Sequence, residues 1–211
     1  TIFSSIAGFF TAKFKMHPFI TTLSTQLLIY GLFMIGYGSY PAFNADLSIA
    51  KKLKGNNYLN IIIAAVIVIA IVWFIWNKTK FGKNMYAVGG NSEAASVSGV
   101  SVFWTTLIVF AMAGVLYGLG GAATALQGAG ANPNTGYGTE LDAIAACVIG
   151  GVSFSGGIGK ISGVVLGTII FQGMTYCLTF LGFDVNIQYL FKGIIIMAAV
   201  CLDSMKYLKK K

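Results

Sequence analysis

The sequence has very little charge, and it contains no arginine. Of its 211 residues only 9% are charged, whereas 56% are hydrophobic. Soluble domains carry about 25% charged residues, which form their hydrated surface. The shortage of charge therefore excludes a soluble enzyme, a disordered tail and a disulfide scaffold, and it indicates a protein surrounded mostly by lipid.

All of the basic residues are lysines, and they outnumber the acids by fourteen to six, which gives a net charge of +8. Base recognition in nucleic acids relies heavily on arginine, so its absence argues against a nucleic-acid partner. Because the lysines lie between apolar runs, we interpret their distribution as a signal of membrane topology.

Residues that usually build catalytic or metal sites are also scarce. The single histidine, His17, has no Cys, Asp or Glu beside it in the sequence, and Cys147, Cys177 and Cys201 each lie in an apolar run without paired spacing. We interpret the cysteines as small packing residues. We expect no catalytic residues, no metal site and no cofactor in this chain.

Seven apolar runs predict an all-α fold, a polytopic membrane helix bundle with about six to seven transmembrane segments. A spanning helix needs about 20 residues, so the first and fifth runs are short, and the fifth is predicted to be a short or broken segment. The first run resembles the remainder of a longer helix, and we expect residues 1–211 to be the C-terminal part of a longer membrane domain. The runs are Thr1–Ala12, Pro18–Gly36, Tyr58–Trp76, Val102–Leu126, Leu141–Gly151, Ile161–Leu181 and Ile187–Leu202.

The lysines orient these runs if the fifth one crosses the membrane. Ten lysines then fall on one side, which the positive-inside rule assigns to the cytoplasm together with the C-terminus. They are Lys13, Lys15, Lys78, Lys80, Lys83, Lys160, Lys206, Lys209, Lys210 and Lys211, against Lys51, Lys52 and Lys54 on the opposite side.

Glycines at four-residue spacing predict helix packing. Gly114 and Gly118 form one such pair, and Gly159, Gly163 and Gly167 form a second series. Small residues at this spacing let two membrane helices approach closely. Generic packing is the more common meaning of this pattern, and a sliding face in a moving transporter is the alternative.

Two acids open the fifth run. Thr139 followed by Asp142 resembles a capping box, and Glu140 and Asp142 suit the positive end of a helix dipole. The functional alternative is a polar ring at the external mouth of a pathway. Lys192, near the start of the last run, is expected to extend to the membrane interface.

Residues 77–101 are predicted to form a cytoplasmic loop with a helix of its own. Asn91 or Ser92 can cap its start, and Gly99 can end it in a left-handed conformation. Glu93, Ala94 and Ala95 favour a first helical turn. A helix of about two turns needs a partner to hold it, so this segment is predicted to dock on another protein.

The same segment carries a resemblance. YAVGGNSEAASVSGV contains Glu93, Ala94 and Ala95 in succession, then three further residues, then Gly99, and this spacing resembles the coupling loop of ABC importer permeases. Two further stretches, ELDAIAACVIGGVSFSGGIGKISG and FKGIIIMAAVCLDSMKYLKKK, resemble the ribose/galactose class of bacterial sugar permeases. Within that class the sequences of these stretches most resemble those of the permeases of galactose/methylgalactoside systems.

The resemblance implies a transport subunit of the bacterial inner membrane that imports a monosaccharide by alternating access. A second permease copy would complete the pathway as a homodimer, a periplasmic sugar-binding protein would deliver the sugar, and a cytoplasmic ATP-binding subunit would hydrolyse ATP with magnesium. It assigns Glu93, Ala94, Ala95 and Gly99 to ATPase coupling and leaves the sugar-contacting residues open.

Two other functions compete with this interpretation. An ion-coupled secondary transporter or facilitator would fit the same composition, although such proteins usually place an ionisable group within the membrane. A membrane enzyme is disfavoured because no nucleophile set or metal-ligand set can be assembled.

Overall fold

The computed structural model describes residues 1–39, 57–128, 135–136 and 138–208. All regular secondary structure within these ranges is α-helical, which confirms the predicted all-α class. The helices are α1 (Ile2–Phe14), α2 (Pro18–Ser39), α3 (Asn57–Lys78), α4 (Lys80–Gly90), α5 (Ser92–Val97), α6 (Val102–Gly128), α7 (Thr139–Ile149), α8 (Ile161–Phe180) and α9 (Val185–Leu208). Some of the lysines used for orientation, Lys51, Lys52, Lys54 and Lys209 to Lys211, lie outside the described residues.

Four of the helices in the described ranges are long and apolar enough to cross a membrane. These candidate spans are Pro18–Gly36, Leu59–Lys78, Val102–Ala125 and Ile161–Phe180. Shorter apolar stretches occupy Ile2–Phe14 and Val185–Ala198. At a rise of about 1.5 Å per residue, the 13 residues of α1 extend only about 20 Å and the 11 residues of α7 only about 17 Å. Neither crosses a hydrocarbon core of about 30 Å by itself.

The chain divides into two compact units, and the first comprises Thr1–Val88 and Ser92–Gly136. In this unit α1 packs against α6 and α2. Glycine allows the approach of α1 to α6, because a β-carbon built on Gly8 would lie 2.6 Å from the Cβ of Phe110. The hydroxyl of Ser4 donates a hydrogen bond to the carbonyl oxygen of Phe110, and the rings of Phe9 and Phe103 meet edge to face at 6.1 Å.

The second unit comprises Gly89–Asn91 and Tyr137–Lys211. Here the short helix α7 packs against both α8 and α9. A small buried core joins them, in which Ala145 and Ala146 of α7 contact Phe171 of α8. Met174 and Ile196 flank this core. The alanines allow a close approach, so the unit is organised around a helix too short to span a membrane alone.

Candidate functional site

The segment between α3 and α6 begins with a tight turn. The hydroxyl of Thr79 donates to the carbonyl oxygen of Ile75 at 2.6 Å and accepts from the backbone N–H of Gly82 at 3.2 Å. A β-carbon on Gly82 would collide with the carbonyl oxygen of Trp76, so this turn requires glycine. Residues 80–90 then continue as α4, a helix that the sequence analysis did not predict.

The helix predicted to precede Gly99 is present as α5, which begins at Ser92 directly after Asn91. Gly99 has a φ of 81°. The N–H of Gly99 donates to the carbonyl oxygen of Ser96 at 3.0 Å, and the N–H of Val100 donates to that of Ala95 at 3.0 Å. These two bonds form a Schellman motif, which gives the short helix a fixed end.

The residues assigned to ATPase coupling lie together on α5 and its C-terminal cap. Glu93 is in the first turn, Ala95 is buried with 4% exposure, and α5 contacts α6. Val97, by contrast, is 91% exposed. The helix thus buries an alanine and presents an apolar side chain outward, an arrangement that suits insertion into a groove of another protein.

An ion pair joins α7 to α9. Nζ of Lys192 lies 2.7 Å from Oδ1 and 3.0 Å from Oδ2 of Asp142. The two side chains are only 15% and 27% exposed, respectively. Since both are largely removed from solvent, the attraction between them is screened less than that of a surface pair.

Aromatic rings complete the surroundings of Lys192. Its Nζ lies 5.4 Å from the ring centroid of Tyr189 and 5.9 Å from that of Phe171. Both distances fall within the range of about 6 Å for cation–π attraction. The ammonium is therefore held by one carboxylate and two rings, contributed by all three helices of this unit.

One expectation for this region is corrected by the structure. The capping box predicted at Thr139 is wrong, because α7 begins at Thr139 itself, and its cap is Gly138 with no side-chain capping bond. The structure also brings Lys192, which is expected to extend to the interface, to Asp142. The spacing of Asp142 and Lys192 in the sequence does not predict their contact, because they lie on different helices. The sequence shows only that each is a charged residue within an apolar run.

The predicted packing glycines fall into different environments. A β-carbon on Gly163 would collide with the carbonyl oxygen of Gly150, and one on Gly167 would collide with that of Ala146, so both lie where α8 meets α7. A β-carbon on Gly114 would lie 2.6 Å from the Cβ of Ser4, where α6 meets α1.

The other two glycines of the series differ from these three. Apart from its own helix backbone and chain neighbours, no described atom lies within 4 Å of a β-carbon built on Gly118. Gly159 precedes α8, which begins at Ile161, and its β-carbon would lie 3.2 Å from Cγ2 of Val152. The four-residue series therefore does not form one continuous helix face.

A buried glutamine, which no sequence motif predicts, joins α8 to α9. Gln188 is 9% exposed, and its Nε2 donates to Oγ1 of Thr179 at 3.2 Å and to the carbonyl oxygen of Phe183 at 3.3 Å. The signal that could have predicted this buried polar side chain is its position in an apolar stretch, four residues before Lys192. Among the residues that the structure describes, no group of three His, Cys, Asp or Glu side chains lies close enough together to hold a metal ion.

Comparison with known proteins shows a family relationship over nearly the whole chain. The family model described as "Branched-chain amino acid transport system / permease component" matches residues 1–200. The galactose/methyl galactoside import permease protein MglC of Treponema pallidum (strain Nichols) is 56% identical over 221 residues, which cover 99% of this chain and 41% of the relative. MglC of Escherichia coli (strain K12) is 46% identical over 215 residues, which cover 98% of this chain and 64% of the relative.

The ribose import permease protein RbsC of Bacillus subtilis (strain 168) is 37% identical over 203 residues, which cover 94% of this chain and 63% of the relative. These relatives confirm the resemblance to the ribose/galactose class that the sequence motifs indicate. The chain spans between 41% and 64% of the length of the three relatives. No solved structure matches the chain.

Proposed function

Because the chain belongs to the family described as branched-chain amino acid transport system permease components, we propose that it forms part of the membrane-spanning subunit of a bacterial ATP-binding-cassette importer. The proposed substrate is a monosaccharide, galactose or a methyl galactoside. The observation that carries this proposal is the 56% and 46% identity to two galactose/methyl galactoside import permeases over 99% and 98% of the chain. The chain is part of a multi-pass protein of the bacterial inner membrane.

The chemistry that drives transport belongs, in this proposal, to other chains. A cytoplasmic subunit binds ATP and magnesium and hydrolyses the nucleotide, and a periplasmic protein delivers the sugar. A second copy of the permease forms the other half of the pathway as a homodimer. This chain itself is proposed to be a transport component and not an enzyme.

Residues 77–101 are proposed to be the cytoplasmic coupling loop, and α5 to be its docking element. The support is geometric: Ala95 is buried, Gly99 fixes the end of the helix, and Val97 is exposed. The cap bonds satisfy the last carbonyl groups of this short helix, so its end keeps a defined geometry when a partner binds. Glu93 and Ala94 of the same helix are proposed to contribute to the docking surface.

The opposite end of the pathway is proposed to lie near the start of α7. Glu140 and Asp142 occupy its first turn, and we propose that this turn faces the periplasm while the C-terminus faces the cytoplasm. Asp142 is neutralised by Lys192, so this end of α7 can lie close to apolar helices while keeping polar groups near the mouth. Alternating access would then involve movement of α7 against α8 and α9.

The test compares two glycines in equivalent backbone conformations. Gly99 and Gly182 have φ values of 81° and 78°, and apart from their chain neighbours no described atom lies within 4 Å of either β-carbon position. Gly99→Ala and Gly182→Ala therefore introduce the same local strain, of about 1 kcal/mol, at the ends of α5 and α8. Each variant is made in the complete reading frame and purified with the tagged ATP-binding subunit.

We expect Gly99→Ala to reduce the amount of ATP-binding subunit that co-purifies by up to about fivefold, the factor that corresponds to about 1 kcal/mol of strain opposing the bound geometry of α5. Gly182→Ala should leave the amount unchanged. Equal co-purification of both variants with the subunit would refute the assignment of α5. Sugar uptake that follows the membrane potential and continues without ATP would instead favour an ion-coupled transporter or facilitator.

A further inference from the structure

The segment that precedes α5 lies against a glycine turn that follows α7. We infer that the contact of Gly89 with Gly156 and Gly157 transmits the movement of α5 to α7. This inference rests on the proposed coupling role of α5. It makes Gly89 and Gly157 positioning residues for coupled transport.

The contact is made by backbone atoms alone. A β-carbon built on Gly89 would lie 2.8 Å from the backbone nitrogen of Gly157. A β-carbon on Gly156 would lie 2.5 Å from the carbonyl oxygen of Gly89, and one on Gly157 would lie 2.5 Å from the Cα of Gly90. Any side chain on these three glycines would therefore push the two segments apart.

The turn is shaped for this approach. Gly156 and Gly157 have φ values of 89° and 69°, a conformation that side chains disfavour. Two independent constraints, the φ angle and the lack of space, thus require glycine at the same place. Because glycine adopts these φ angles and lacks a side chain, the backbone of this turn can contact the backbone of Gly89.

Hydrogen bonds hold the turn as a compact unit between α7 and α8. The N–H of Ser153 donates to the carbonyl oxygen of Ile158 at 3.0 Å, and the N–H of Gly156 donates to that of Ser153 at 3.3 Å. Ser153 is 9% exposed. At the end of α7, the N–H of Gly151 donates to the carbonyl oxygen of Val148, and the N–H of Val152 donates to the carbonyl oxygen of Cys147. These two bonds form a second Schellman motif. The turn is therefore rigidly continued into α7.

Only a short stretch of chain connects α5 to Gly89. Gly89 and Gly90 end α4, Asn91 follows, and α5 begins at Ser92. A displacement of α5 reaches Gly89 through three peptide bonds. A backbone contact has no side-chain rotamers to absorb such a displacement, so the turn must follow or the contact must break. Movement of the turn carries α7, whose other end holds the Asp142–Lys192 pair.

The experiment compares two adjacent glycines at the end of the same helix. Gly89→Ala places a methyl group against the backbone of Gly157, whereas Gly90→Ala meets no described atom within 4 Å. Each variant is made in the complete reading frame and reconstituted with its ATP-binding subunit and sugar-binding protein. Basal ATP hydrolysis, its stimulation by galactose-loaded binding protein, and galactose uptake are measured together.

Gly89→Ala should assemble and retain basal hydrolysis, but lose about tenfold in stimulation and uptake, a typical coupling factor. Gly90→Ala should match the unaltered protein. Equal stimulation and uptake in the two variants would overturn the inference while leaving the proposed function intact. Failure of the unaltered protein to take up galactose with ATP would instead overturn the proposed function.

Hydrogen exchange in the unaltered complex tests the inference even if Gly89→Ala fails to fold. With ATP bound and then hydrolysed, amide protection of residues 152–158 should change together with that of residues 89–99. Residues 203–208 at the end of α9 provide an internal reference. A change in residues 92–97 without any change in residues 152–158 would contradict the transmission from α5 to α7.

Discussion

Lys192 and Asp142 form an ion pair across two helices, with Nζ of the lysine 2.7 Å and 3.0 Å from the two carboxylate oxygens. Replacing one member leaves a charge among apolar groups. We therefore expect Asp142→Asn or Lys192→Met to destabilise the protein by up to about 3 kcal/mol. The melting temperature of the detergent-purified permease measures the effect.

The double variant should lose less than the sum of the two single losses, because it leaves no unpaired charge. Reversing the pair, with Asp142→Lys and Lys192→Asp, should recover only part of the stability, since a lysine in the first turn of α7 opposes the helix dipole. Glu140→Gln in the same turn is the control for loss of an acid. Additive losses in the double variant would show that the pair contributes no coupling energy.

The approach of α8 to α7 predicts a contrast between two glycines on α8. A β-carbon at Gly167 would collide with the carbonyl oxygen of Ala146, whereas one at Gly173 meets nothing described within 4 Å. Gly167→Ala should destabilise the protein by about 1–3 kcal/mol through overpacking. Gly173→Ala should be neutral or stabilise it by up to about 1 kcal/mol through helix propensity.

Thermal unfolding of the two alanine variants in one detergent decides this prediction. A Gly167→Ala protein as stable as the unaltered one would mean that α7 and α8 do not approach as closely as described. A loss of stability in Gly173→Ala would point to a helix partner at that face.

The two sides of α5 predict different effects on assembly and stability. Val97 is 91% exposed and Ala95 is 4% exposed. Val97→Lys should weaken association with the ATP-binding subunit while leaving the melting temperature of the permease unchanged. Ala95→Leu should weaken this association and also lower the melting temperature, because the larger side chain displaces the helix by overpacking.

Surface-immobilised permease, titrated with the ATP-binding subunit, gives the dissociation constants for these variants. Val97→Ile, which keeps the apolar surface, is the matched control. An unchanged dissociation constant for Val97→Lys would remove Val97 from the docking surface.

Gln188 predicts the cost of breaking the corner between α8 and α9. Its amide donates to Thr179 and to the backbone of Phe183, and the side chain is buried. Gln188→Leu should cost about 1 kcal/mol, the net contribution of such bonds. Gln172→Leu, at an exposed position on α8, should cost less. Equal melting temperatures for the two leucine variants would argue against a structural role for Gln188.

Hydropathy and capping signals were sufficient for most of the helices. The run Val102–Leu126 corresponds to α6 at Val102–Gly128, and α5 is flanked by Asn91, one of the two predicted caps for its start, and by Gly99 after its end. These features are local, because apolar length and cap residues act over a few neighbours. The first turn of α7 was misassigned because Gly138 caps it in place of Thr139.

The features that escaped prediction depend on distant parts of the chain. The sequence of α4, KFGKNMYAVGG, contains three glycines and so has weak helix propensity by itself. The Asp142–Lys192 pair and the contact of Gly89 with Gly157 join segments that only tertiary packing brings together. Their residue types were visible in the sequence, but their partners were not.

The most direct test of the account is galactose uptake into proteoliposomes that contain the permease, its ATP-binding subunit and its sugar-binding protein. The account predicts uptake that requires ATP inside the compartment of the ATP-binding subunit, persists when ion gradients are dissipated, and falls in Gly99→Ala but not in Gly182→Ala. Uptake that proceeds without ATP and collapses with the ion gradients would contradict it.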